Sequence, residues 1–83
     1  RFNAYPIPAR SELNITFRSD AYRGPASVTL LSSAGNAALV RDVDILRGVN
    51  RITLGVGSLS PGVYHLKMSL PDQFLLKRVV ISD

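Results

Sequence analysis

Apolar and polar residues alternate one for one along most of this chain, and a period of two commits it to extended strands. Leu13, Ile15 and Phe17 alternate with Asn14, Thr16 and Arg18. Val28 and Leu30 flank Thr29, and Leu31 makes that segment apolar on both faces for part of its length. Val43 and Ile45 alternate with Asp42 and Asp44, and Ile52 and Leu54 flank Thr53. Tyr64, Leu66, Met68 and Leu70 alternate with His65, Lys67 and Ser69. The last run, Phe74 to Ile81, is rich in Leu and Val and holds Lys77 and Arg78 inside it. No segment shows the 3.6-residue period and cap of an amphipathic helix.

Turn signals separate the runs: Arg23-Gly24-Pro25, Ser33-Ala34-Gly35-Asn36, Arg47-Gly48-Val49-Asn50, the stretch from Gly57 to Gly62, and Pro71-Asp72. Gly35 and Asn36 both tolerate positive φ and suit a tight hairpin. With a short opening strand over Phe2 to Tyr5, the count is about seven strands. Each strand has one apolar face, so the economical arrangement is an all-β, immunoglobulin-like antiparallel sandwich. The predicted core is Leu13, Ile15, Phe17, Val28, Leu30, Ile52, Leu54, Tyr64 and Leu66. No repeat, linker or low-complexity segment interrupts the 83 residues, and residues 1–83 are expected to form a single domain.

Composition removes several functions. A chain this short buries only about 60–65% of the surface exposed when unfolded. Its 46% hydrophobic content is therefore committed to a core, and disorder is not expected. Without cysteine there is no disulfide framework, thiol nucleophile or cysteine-ligated metal. The net charge is +4, but its eight arginines are scattered singly, without the basic stripe and interleaved aromatics of a nucleic-acid binder; no nucleic-acid partner is expected. No apolar run reaches the roughly 18–20 residues that span a bilayer. No signal peptide is expected among these residues, and in an exported parent this segment is expected downstream of one.

Little chemistry is available. His65 is the sole histidine and falls on the polar side of its strand, a poor position for an oriented general base. Asp42 and Asp44 project from one face about 7 Å apart. They could take part in a calcium site with Asp20 and Asp72 as loop carboxylates, or serve as a solvated face that discourages edge pairing. Gly55-Val56-Gly57 lacks both the third glycine and the following helix of a phosphate loop. Tyr64 suits a half-buried ring whose hydroxyl reaches the domain edge. No catalytic residue, cofactor or metal is assigned.

The order of these elements resembles a known family. Tyr5-Pro6-Ile7-Pro8 leads to the strand carrying Leu13 and Ile15, and then to a turn with Gly35. Gly48, Asn50, Ile52 and Leu54 follow in the spacing Gly-x-Asn-x-Ile-x-Leu. Leu59-Ser60-Pro61-Gly62-Val63-Tyr64 comes next, and Lys77, Arg78, Val79 and Ile81 close the pattern. Over nearly the whole chain this resembles the type A C-terminal sorting domain of the type IX (Por) secretion system. Each motif alone is weak, while five in the right order are fairly specific. The chain departs from the family at Ile7, where Asn is usual, and at Ser82-Asp83, where many members finish with Lys.

The resemblance implies a secretion address at the C-terminus of a larger exported protein, used in the periplasm and at the outer membrane of Bacteroidetes. It implies as partners the type IX translocon, outer-membrane shuttle proteins and, in many cargos, a surface sortase that removes the domain. Recognition would proceed through the terminal strand, with Lys77, Arg78, Val79 and Ile81 as candidate contacts. Its apolar edge could be extended by a partner strand or exchanged between copies in a strand-swapped homodimer. Two alternatives are a carbohydrate-binding or adhesive sandwich, disfavoured by the lack of Trp, and an inert immunoglobulin-like spacer.

Overall fold

Seven strands form, and all pair antiparallel, in a computed structural model that describes residues 2–83. They are β1 (Phe2–Tyr5), β2 (Glu12–Ser19), β3 (Gly24–Ser32), β4 (Ala37–Ile45), β5 (Gly48–Gly55), β6 (Gly62–Leu70) and β7 (Gln73–Ile81). One sheet has the order β1-β2-β5 and the other β4-β3-β6-β7. The two pack as the sandwich that the alternation predicts. Strand β2 brings Leu13, Ile15 and Phe17 to the inner face, while β3 and β6 bring Val28, Leu30, Tyr64, Leu66 and Met68 from the other side.

Eight of the nine predicted core residues are buried; Ile52 is the exception. It packs against the core but stays half-buried. Its strand β5 is the edge of the three-stranded sheet, with β2 as its only neighbour, so one flank is uncovered. The core also takes in Ala9, Ile45, Val56, Met68, Val79 and Ile81. Ala9 and Val56 lie outside the strands and are held by backbone bonds. Val56 N–H donates to the Ser11 carbonyl at 2.8 Å, and Ala9 N–H donates to the Val80 carbonyl at 2.8 Å.

Two segments expected to be turns are the first residues of strands. Gly24 and Pro25 open β3, and Gly48 to Asn50 open β5. Gly48 has φ +96°, a region open to glycine at little cost, and still pairs with Ser19. At Gly24 a Cβ would lie 2.9 Å from the Tyr22 hydroxyl oxygen, so a side chain there would displace that ring. Pro25 is tolerated in a central strand because the β3–β6 ladder ends at Ser27–Ser69. The β3–β4 hairpin turns at Gly35, whose φ is +87°, while Asn36 keeps a negative φ. Asn36 instead accepts Ser32 N–H at its carbonyl and donates its own N–H to Ser32 Oγ.

Replacing Leu66, fully buried at the centre of the larger sheet, with Ala should lower unfolding free energy by about 2–5 kcal/mol. Ile52→Ala should cost distinctly less because Ile52 already meets solvent. Urea denaturation of the two variants checks the order.

Candidate functional site

The chain crosses between sheets three times after β2, and at each crossing a side chain ties the corner together. Between β2 and β3, Ser19 Oγ donates to the Tyr22 carbonyl at 2.5 Å, and the Tyr22 hydroxyl donates to the Pro25 carbonyl at 2.6 Å. Between β4 and β5, Asn50 Oδ1 accepts Leu46 N–H at 2.9 Å. Its Nδ2 donates to the Leu46 carbonyl at 2.8 Å and is shared with the carbonyls of Gly48 and Phe17, each at 3.2 Å. Between β5 and β6, the Tyr64 hydroxyl donates to the Ser60 carbonyl at 2.6 Å. Tyr64 is buried rather than half-buried, since its ring fills the core and only its oxygen reaches the corner.

The opening segment makes a further connection. Strand β1 ends at Tyr5, and Pro6-Ile7-Pro8 carries the chain out of its sheet. Ala9 then forms a parallel bridge with Ile81 of the other sheet. Ala9 N–H donates to the Val80 carbonyl and the Ala9 carbonyl accepts Ser82 N–H, both at 2.8 Å. Pro6 and Pro8 need no acceptor for a missing N–H, and both lie exposed on this span. The terminal strand β7 is an edge strand, and Ala9 clasps its last residues.

The residues singled out in the sequence are spread through this framework. Leu13, Ile15 and Leu54 are core; Gly48 and Asn50 build a corner; Gly35 and Gly62 lie at strand ends; Tyr5 is exposed at the end of β1. On β7, Val79 and Ile81 are buried and Arg78 is exposed. Lys77 pairs with Leu66 and shares the inward-facing side of β7 with them, half-buried at the rim. An inward-pointing charge on an edge strand obstructs indiscriminate strand pairing. Arg41 plays the corresponding part on the other edge, opposite the buried Val28.

The outer face of β6 and β7 carries chemistry that strand alternation alone does not account for. Phe74 and Leu76 are 57% and 53% exposed. Lys67 Nζ stands 4.7 Å from the centre of the Phe74 ring, a cation–π contact. A shallow open depression lies here beside the Pro71-Asp72 turn. His65 is exposed and faces Arg78 across the strand pair. Asp42 and Asp44 are exposed on the far edge strand β4. Among the described residues no three His, Asp or Glu side chains converge as a metal site.

Two packed antiparallel sheets, corners tied by hydrogen bonds and an edge strand clasped at one end define a small β-sandwich module. The chain matches the family model described as the secretion system C-terminal sorting domain over residues 3–82 and belongs to that family. It is a sorting domain of the type IX (Por) secretion system, a non-catalytic signal for export across the outer membrane. No curated protein matches the chain.

Asn50→Ala removes every bond of the β4–β5 corner and should lower stability by about 2–3 kcal/mol. Tyr64→Phe removes one hydrogen bond and should cost about 0.5–1.5 kcal/mol. Chemical denaturation of each variant against the parent chain measures both.

Proposed function

We propose that this chain is the type A form of the sorting domain and the last domain of a larger exported protein. Its translocon and the outer-membrane shuttle proteins meet it at the terminal strand. The cargo is delivered to the cell surface, where a sortase removes the domain. The observation that carries this reading is the position of β7: it lies at a sheet edge, paired with β6 on one flank and open on the other along its middle, with Arg78 in solvent. The motif residues support it indirectly, since Tyr64 holds the corner that leads into β6, the strand on which β7 pairs. The same edge would serve a strand-swapped homodimer.

The test is a passenger carrying an inner-membrane signal, fused upstream of this chain and expressed in a type IX-competent bacterium. The fusion should reach the surface, and a passenger without the domain should remain in the periplasm. Arg78→Ser alters an exposed position and should change stability by no more than about 0.5 kcal/mol. Periplasmic accumulation of that folded variant is the expected outcome. Surface delivery of the passenger lacking the whole domain would remove the proposal.

A further inference from the structure

Backbone groups along β7 divide into two sets. In an antiparallel ladder, successive residues turn their N–H and C=O groups alternately towards one neighbour and away from it. The Val80 carbonyl and Ser82 N–H both point away from β6, because Ala9 takes both. The same alternation turns Phe74, Leu76 and Arg78 to the open edge, while Leu75, Lys77 and Val79 bond to β6. Carried across the registers of β6, β3 and β4, it leaves Val40, Asp42 and Asp44 facing outward on the opposite edge. Beyond Arg78 the β7 edge is occupied. Its open part is therefore limited to Phe74 through Arg78.

Side chains along that stretch are one-sided in charge. Strands β6 and β7 carry Lys67, Lys77 and Arg78 and no carboxylate. Phe74 and Leu76 stand exposed beside Lys67 on the outer face, and Lys77 lies at the rim of the inner face. A strand added here would set one residue against Arg78 and the next against Lys77, on opposite faces. Two uncharged side chains at those positions would leave a half-buried ammonium unpaired, which disfavours a purely apolar strand.

We propose that Phe74–Arg78 is a strand-addition site for an extended, antiparallel protein segment in which two consecutive acidic residues precede an apolar alternation. The acids pair with Arg78 and Lys77, and the apolar residues cover Leu76 and Phe74. Backbone bonds to Leu76 and Arg78 supply affinity, and the charges supply direction and selectivity. The opposite edge sets Asp42 and Asp44 against such a segment and offers Arg41 as its one cation, so it disfavours paired acids. This inference rests on the reading of β7 as the strand that the export machinery meets.

The experiment uses the 83-residue chain and a synthetic peptide in which two glutamates precede alternating valine and threonine, with a control peptide carrying lysines instead. Titration followed by amide hydrogen exchange should show the glutamate peptide slowing exchange at Leu76 and Arg78, with the lysine peptide binding at least about tenfold more weakly. Exchange at Val40 and Asp42 should not change. Leu76→Pro removes an outward N–H and should weaken binding by about tenfold or more, whereas the matching Val40→Pro on β4 should not. Arg78→Glu reverses an exposed charge and gives the same loss should the proline variant fail to fold. Equal binding of both peptides, protection on β4 in place of β7, or no binding would overturn the proposal. Absent binding in a chain that still directs export would leave the sorting role standing. Binding as expected, in a domain dispensable for export, would do the reverse.

Discussion

Contact between the inner faces of β1-β2-β5 and β4-β3-β6-β7 supplies the main driving force open to so short a chain. Leu13, Ile15 and Leu54 on one side and Leu30, Leu66 and Val79 on the other are sealed from water. Hydrophobic burial has no direction, so it cannot by itself set how the two sheets are joined. That is fixed at the crossings, where the backbone leaves one ladder before it enters the next. Ser19 with Tyr22, Asn50, and Tyr64 supply hydrogen bonds at those points.

The edges show a second level of organisation. A four-stranded open sheet presents two rows of free backbone groups, each a template for unwanted pairing. Here Arg41 on β4 and Lys77 on β7 turn inward at the rims, and Ala9 occupies the end of β7. The result is a sheet whose two edges are guarded by charge and, at the end of β7, by backbone pairing.

Much of the fold was legible because alternation is a local signal. Leu13, Ile15, Phe17 and Leu66 could be placed on the inner face from their own strands alone. Ile52 shows the limit, since its alternation is as regular but burial depends on β5 having one neighbour. Gly48 and Asn50 were recognisable as turn-forming residues, and Asn50 does bond Leu46 and Gly48 nearby. Its further bond to Phe17 spans 33 positions and has no local signature. Ala9 and Val56 were invisible for the same reason: each is placed by backbone pairing with a distant segment. The sidedness of Lys77 was within reach, because it stands two positions from Val79 and so on the same face, yet a charged residue in an apolar run is more readily taken as solvent-facing.

The clasp also bears on when this domain can exist. Ser82 and Ala9 are joined across 73 positions, so the opening segment cannot be locked until the final residues are available. Strand β7 likewise must arrive before Tyr64, Leu66 and Met68 have their neighbours. Closure of so long a loop is slow compared with forming a hairpin, and it cannot begin while the end of the chain is held in a narrow channel. The opening segment and the last strand of the sandwich therefore lock together, and the domain gains its closed form in one late step.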